Sequence, residues 1–428
     1  GVKKEDGYDV YEEGKANGYF CKDENGEDFI IGVWPGKCCF PDMLDDKARQ
    51  WFGDKYRILI DKGIDGFWND MNEPAIFYSE KHLKEVFEKM EDYKKMNLDV
   101  NTFFEMTGMI GGICNNPEDY ASFYHNYKGR RYRHDQVHNL FGYYMTRSAS
   151  EAFERYVPEK RILLFSRASY IGMHRFGGIW QGDNASWWSH LKMNVKMMPS
   201  LNMCGFLYTG ADVGGFGADA TEDLVLRWLE FAVFTPLLRN HSARGTRRQE
   251  VYRFSHVEKF ADVIGVRYQI LPYIYSEYMK AALQNTMMFN PLAFLYGEDT
   301  LAGQVEDQLF IGENIMVAPV CEQNVSGRVV YFPEHMKELI FKNGIIEEGK
   351  VYEKGFSYVE MQMGTVHIFL REGYLFPVAK GGKCVEDVDF EDLTLYSFGK
   401  EIKPYEYYLD DGETKDFNME THIRILSC

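Results

Sequence analysis

Two aspartates stand where carboxylate chemistry on a sugar would need them. Asp70 lies in Trp68-Asn69-Asp70-Met71-Asn72-Glu73-Pro74, directly after the apolar run Gly63-Ile64-Asp65-Gly66-Phe67. Asp183 lies in Trp180-Gln181-Gly182-Asp183-Asn184, after Phe176-Gly177-Gly178-Ile179. Each carboxyl ends a short strand-like run and has an indole beside it. Retaining cleavage of a glycosidic bond needs a carboxyl that donates a proton and a carboxylate that meets the developing oxocarbenium ion, about 5–5.5 Å apart. The indole faces offer an apolar platform for a sugar ring. An aspartate at a strand end is also a common turn former or helix cap, so residue type alone leaves both readings open.

The elements that would position these groups form a series. Arg161-Ile162-Leu163-Leu164-Phe165 ends in Ser166 and Arg167, and Cys204-Gly205-Phe206-Leu207-Tyr208-Thr209-Gly210 ends in Asp212. Phe234-Thr235-Pro236-Leu237-Leu238 ends in Arg239, Asn240 and His241. With the two runs above, five apolar stretches each finish in a charged or amide side chain. Runs buried on both faces read as parallel strands. Helix-compatible stretches such as His138 to Tyr156 and Leu224 to Phe234 fall between most of them. Polar residues gathered at the carboxyl ends of successive parallel strands form the active face of a (β/α)₈ barrel. A doubly wound open sheet is the competing architecture, but no glycine-rich phosphate loop follows any strand. The nine or so residues between Ala168 and Gly177 are too few for a crossover helix, so that connection is a loop. The polar insert 78–125 is expected to be a long loop walling a pocket.

Beyond Met287 the pattern changes to short alternating runs: Arg328 to Phe332, Gly349 to Tyr352, Val366 to Leu370 and Leu393 to Tyr396. Turn residues separate them, as in antiparallel sandwiches. The expected organisation is a (β/α) barrel portion over 1–286, a proximal β-domain over 287–372 and a distal β-domain over 373–428. Only five of eight barrel strands are counted, so the barrel reads as incomplete on its N-terminal side.

Composition sets the class. A net charge of −17 spread along 428 residues argues against nucleic acid or an anionic membrane as partner. Apolar content of 45 % rules out a disordered chain and supports a large core. No run reaches the ~18–20 apolar residues that span a bilayer. The eight cysteines lack a C-x-x-C pair, which favours scattered reduced thiols over disulfides or zinc. With no signal-peptide pattern visible, the expected location is cytoplasmic. No cluster has metal-ligand spacing, and no metal or cofactor is expected. A homo-oligomer is compatible with all of this.

In order along the chain, the motifs resemble glycoside hydrolase family 31, the family of α-glucosidases, isomaltases and α-xylosidases. The resemblance runs from about Gly32 to Thr414. It is carried by Val33-Trp34-Pro35-Gly36, Phe40-Pro41-Asp42, the Trp68 to Pro74 block and His138-Asn139-Leu140-Phe141-Gly142. Further on it is carried by Ser166-Arg167, Trp180 to Asn184, Gly210-Ala211-Asp212-Val213-Gly214-Gly215-Phe216, Arg239-Asn240-His241 and Asp410-Asp411-Gly412-Glu413-Thr414. The resemblance implies that Asp70 is the nucleophile and Asp183 the acid/base. It implies that Arg167, Trp180, Asp212, Phe216 and His241 line the first sugar subsite, with Trp68 and Met71 flanking the nucleophile. Trp34 matches a more distant wall, and Glu73 reads as a supporting partner behind the site. Asn69 replaces the usual aliphatic residue and should point off the face that Asp70 occupies, since strand neighbours alternate. Asp183 would have to hold a proton near neutrality through burial or a neighbouring negative charge. The implied activity is exo-hydrolysis of terminal α-glucose from malto- or isomalto-oligosaccharides. An α-xylosidase, a transglucosylase, a lyase and a fragment inactive by itself stay open.

Overall fold

The computed structural model describes residues 1–427, which fall into two compact units, the first Gly1–Gly177 and the second starting at Gly178. Each is built differently around its half of the motifs.

In the first unit the central event is a parallel strand pair. Gly66–Asn69 runs beside Leu163–Ser166 with Gly66 opposite Leu163 and Asn69 opposite Ser166. Strand alternation puts Phe67 and Asn69 in the interior and leaves Trp68 and Asp70 on the other side. Asn69 therefore points away from Asp70's face, as expected. It is buried and accepts a 2.6 Å hydrogen bond from the Tyr56 hydroxyl. Helix His134–Tyr156 lies in the connection between the two strands and packs Phe153 on Phe67 at 5.3 Å between ring centroids. A buried phenyl of this kind contributes about 1.5–3 kcal/mol. A second helix, Asp46–Asp54, is capped by Asp45, whose carboxylate accepts from the Lys47 and Ala48 amides. It meets the long helix at Gly53, where a Cβ would lie 2.5 Å from the Ser148 carbonyl oxygen. A small antiparallel sheet orders Val2–Lys3, Gly36–Cys39, Ile30–Val33 and Tyr78–Ser79. A three-stranded one orders Lys22–Asp23, Phe123–Tyr127 and Arg130–Arg133. Between them Phe40, Phe123 and Phe141 form one buried cluster.

The insert 78–125 is not a loop. It holds helices Glu80–Tyr93, Val100–Gly111 and Pro117–Tyr120. Each start is capped: Ser79 accepts from the His82 amide, Asp99 and Thr102 form a capping box, and Asn116 precedes a proline at the first helical position. The local cap chemistry outweighs the polar composition that suggested a loop. The Ala168–Gly177 connection has no crossover helix, only the short turn Met173–Arg175.

In the second unit the runs Cys204–Gly210 and Phe234–Leu238 are not ladder strands. The parallel pairing comes just after them, with Asp212 opposite Arg239 and Val213 opposite Asn240. The helices preceding each run consume its start. Helix Trp188–Met203 ends in a turn through left-handed Gly205, and beyond helix Glu222–Ala232 the amides of Phe234 and Thr235 bond back to Phe231 and Ala232. What remains is extended and bonded on two sides: the Ile179 and Gln181 amides donate to Tyr208 and Gly210, and Leu237 donates to Thr209.

Helix Val257–Gln284 then leads into the antiparallel part. Its main sheet has the order Phe289–Pro291, Leu309–Ile311, Ile315–Val317, Val366–Arg371, Met336–Lys342, Ile345–Tyr352. Gly327–Phe332 pairs separately with Gly355–Glu360, Leu375–Ala379 with Leu393–Ser397, and Tyr405–Tyr408 with Ile423–Leu426. The long helix is tied to these strands by buried tyrosines. Tyr273 donates to the Ile311 carbonyl at 2.6 Å and Tyr405 to Glu277 at 2.7 Å. One hydrophobic cluster runs from Leu191 through Trp228, Phe260 and Tyr273 to Leu375 and Tyr407. Cys21, Cys38, Cys39, Cys114, Cys204, Cys321 and Cys384 are free thiols. Among the described residues, no helix is long and apolar enough to cross a membrane.

Candidate active site

The first unit gathers Trp68, Asp70, Met71, Glu73 and Arg167. Asp70 follows the last residue of its strand with a half-exposed side chain, and Trp68 stacks on Phe165 at 4.8 Å. The chain then turns sharply. Met71 takes a left-handed φ of 56°, and its amide donates to Asp70 Oδ1 at 2.8 Å. A non-glycine residue held there marks a turn that its surroundings enforce. Asn72 does the enforcing. Fully buried, it donates to Ser166 Oγ at 2.8 Å and accepts from the Ala168 amide at 3.0 Å, pinning the turn to the neighbouring strand end. Gly142 leaves room for this, since a Cβ would meet the Asn72 carbonyl oxygen at 2.8 Å.

Arg167 spans two carboxylates. Its Nε and Nη2 meet Glu73 Oε1 and Oε2 at 2.7 and 3.0 Å, and its Nη1 lies 3.2 Å from Asp70 Oδ1. The fork is the bidentate geometry in which guanidinium groups bind carboxylates most firmly. Glu73 thereby holds Arg167 beside Asp70. Trp34 sits at the turn between Ile30–Val33 and Gly36–Cys39, edge-on to Phe77 at 5.1 Å and 77 % exposed.

The second unit gathers Trp180, Asp183, Asp212, Phe216 and His241. The loop after Gly178–Ile179 lies flat on the Trp180 indole. A Cβ at Gly182 would come within 1.9 Å of Trp180 Nε1, so only glycine fits this approach. Buried amides anchor the loop: Asn194 donates to Gln181 Oε1 at 2.6 Å, while Asn184 donates to the Asp212 carbonyl at 3.0 Å. The Asn184 carbonyl in turn accepts from the Phe216 and Gly217 amides. Gly214 and Gly215 turn with φ near 90°, which favours glycine, and a Cβ on Gly215 would also strike the Ser186 backbone.

Asp212 is fully buried. Its Oδ1 accepts from Arg239 Nε at 2.6 Å, while Oδ2 has no hydrogen-bond partner. A buried carboxylate oxygen with an open valence suits a hydroxyl donor. Burial raises the Asp212 pKa above the ordinary carboxylate value; Arg239 and His241 oppose this and the nearby Asp183 carboxylate adds to it. Arg239 also lies over the Trp180 ring at 5.5 Å, and Phe216 stacks on His241 at 5.3 Å. The burial expected for Asp183 is not found, because its side chain is exposed. The neighbouring carboxylate is Asp212.

Several residues that shape the site carry no sequence signal. Buried Gln249 donates from Nε2 to the carbonyls of Val213, Gly215 and His241, tying the Gly210–Phe216 segment to the one that ends in His241. Asn72 and Asn194 do the same for the two aspartate loops. An isolated amide has no periodicity or spacing that marks it. Among the described residues, Cys21, Asp42 and His125 bring three potential metal donors within 4.8 Å of one another. Their atoms already bond within the protein, and burial raises the Cys21 thiol well above its ordinary pKa, against the thiolate a metal would need.

Comparison with known proteins places this geometry. The model of the glycosyl hydrolase family 31 TIM-barrel domain matches residues 1–277, and that of the family's C-terminal domain matches 285–376. Alpha-glucosidase 2 of Bacillus thermoamyloliquefaciens is 30 % identical over 99 % of this chain and 49 % of its own length. Human neutral alpha-glucosidase AB is 27 % identical over 99 % of this chain and 41 % of its own. Among solved structures, a Flavobacterium johnsoniae dextranase complexed with glucose aligns at a TM-score of 0.78 and 23 % identity, covering 97 % of this chain and 48 % of that one. A sulfoquinovosidase from E. rectale aligns at 0.66 and 22 %, covering 85 % and 48 %. The chain thus spans about half the length of the curated relatives it matches.

Proposed function

The chain belongs to glycosyl hydrolase family 31, and we propose that it carries the reacting groups of a retaining, exo-acting α-glucosidase. Its substrates are terminal α-linked glucose units of malto- or isomalto-oligosaccharides. Asp70 attacks the anomeric carbon as the bond to the leaving oxygen breaks, and Asp183 gives its proton to that oxygen. A β-glucosyl ester forms on Asp70. Asp183, now a base, takes a proton from water, whose oxygen displaces Asp70 and releases α-glucose. Asp212 and His241 grip ring hydroxyls, while Trp68, Trp180, Phe216 and Met71 supply apolar wall and Trp34 a more distant one.

The observation that carries this reading is Arg167, forked on Glu73 and ion-paired to Asp70 at the exit of a parallel strand. Such an arrangement orients one Asp70 oxygen and leaves the other available for attack. Relatives named alpha-glucosidases support glucose as the sugar taken.

Azide rescue tests the two roles. In Asp70→Ala, azide should replace the missing carboxylate on activated aryl α-glucosides and give the β-glucosyl azide. In Asp183→Ala, azide should intercept the ester and give the α-azide. The same azide anomer from both variants would refute the assignment.

A further inference from the structure

Asp42 and His138 belong to motifs that the hydrolysis scheme leaves unused, and in the first unit His125 and His134 join them in one unbroken chain. His125 Nδ1 is 2.8 Å from Asp42 Oδ1, and His125 Nε2 is 2.9 Å from His134 Nδ1. His134 Nε2 is 2.8 Å from His138 Nδ1, one helical turn along. Asp42, His125 and His134 are buried, and Phe123 stacks on His134 at 4.3 Å.

The direction of this chain follows from its closed end. Asp42 accepts the Asn126 amide on Oδ2 at 2.6 Å and the Leu44 amide on Oδ1 at 3.3 Å, so it acts as a carboxylate acceptor. His125 must then give it an Nδ1–H, the tautomer that an aspartate imposes on the histidine of a catalytic triad. The Cys21 thiol donates to the Pro41 carbonyl, which leaves its sulfur, 3.5 Å from Nδ1, only a weak acceptor. With backbone amides already on both Asp42 oxygens, the Nδ1–H tautomer leaves His125 its Nε2 lone pair for His134. His134 repeats the pattern toward His138. Burial holds His134 neutral, with its pKa lowered to about 2.

At the open end, His138 is half-buried at a groove that Asn115, Tyr120, Asp135 and Tyr170 also line. Tyr120 packs edge-on to it at 5.1 Å and donates to the Pro74 carbonyl beside Glu73. Burial lowers the His138 pKa, and the Glu73 carboxylate opposes this. The charged and titratable groups around His138 are therefore Glu73, Tyr120, Tyr170, Asp135 and His134.

We propose that Asp42, His125, His134 and His138 form a one-directional imidazole relay, every ring held as the Nδ1–H tautomer. It keeps His138 neutral with an Nε2 lone pair, so that Glu73 stays committed to Arg167 and Arg167 to Asp70. His138 is a positioning residue: protonated, it would compete with Arg167 for Glu73. This last step rests on the hydrolase reading; the tautomer order does not.

The test is ¹⁵N-histidine NMR of the whole chain near neutral pH, with two-bond ring correlations assigned by single His→Gln variants. The relay requires protonated Nδ1 and bare Nε2 at 125, 134 and 138. An Nε2–H or doubly protonated ring at 134 or 138 would overturn it. In Asp42→Asn the short Asn126 contact claims the amide oxygen, the NH₂ faces His125 Nδ1, and all three rings should switch to Nε2–H. A folded variant with unchanged tautomers would also overturn the relay. His138→Lys, which fixes a cation where the relay holds a neutral ring, should lower kcat about tenfold or more, as misplacement of a reacting group does, with KM within about twofold. Unchanged kcat would sink the positioning role. A native chain with no glucosidase activity would instead count against the hydrolase reading, with the tautomers still deciding the relay.

Discussion

At Arg167 three nitrogens serve two carboxylates, and no other cation would do the same. Lysine offers one point of charge, so Arg167→Lys can keep Glu73 or Asp70 but not both. Losing one charge-assisted hydrogen bond, worth about 1.5–3 kcal/mol, should lower kcat/KM about a hundredfold with the melting temperature little changed. A loss below about threefold would show that the fork does not aim Asp70. Both aspartates were legible in the sequence because each sits beside a tryptophan at a run's end, and so were Arg167, Asp212 and His241 through their motifs. Their supports were not. Asn194 and Gln249 act through buried amide hydrogen bonds that leave no trace in spacing, and Asn72 showed only as a motif letter. Arg239 was visible only as a motif letter, and its contacts with Asp212 and Trp180 emerge in three dimensions.

At the scale of elements, the strand that presents Asp70 is held from behind by the helix packed on it. Phe153 touches both Phe67 and Tyr56. Phe153→Ala should therefore cost about 3–5 kcal/mol, read as a lower urea midpoint of unfolding, and it should lower kcat because Phe67 lies one strand position from Trp68. A cost under about 1 kcal/mol would mean that this packing does not carry the strand. Apolar runs and helical periodicity gave most of these elements. They failed in two ways. Helix ends consumed the start of the runs at 204 and 234, displacing the ladder to Asp212 and Arg239. Caps turned the polar stretch 78–125 into helices. Beyond Phe289, strands such as Gly355–Glu360 alternate between shielded and exposed positions, so period two shows, whereas Leu309–Ile311 and Leu375–Ala379 are buried throughout.

For the molecule as a whole, the buried histidine couples folding to pH. His134 titrates at 6.5 when unfolded and near 2 when folded. Between those values the unfolded chain binds a proton that the native ring refuses, so stability falls as pH drops below about 6.5. His134→Gln should flatten the dependence of the unfolding midpoint on pH in the weakly acidic range; an equally steep slope would show that His134 does not set it. Family and order of domains were readable from motif sequence alone. Substrate linkage was not, because these residues grip one sugar and say little about its neighbour. The central claim is that Asp70 and Asp183 act in double displacement. ¹H NMR of the first-formed sugar from an aryl α-glucoside, with Asp70→Ala as control, tests it most directly. Double displacement releases α-glucose before mutarotation and none in the variant, whereas β-glucose as the first product would contradict it.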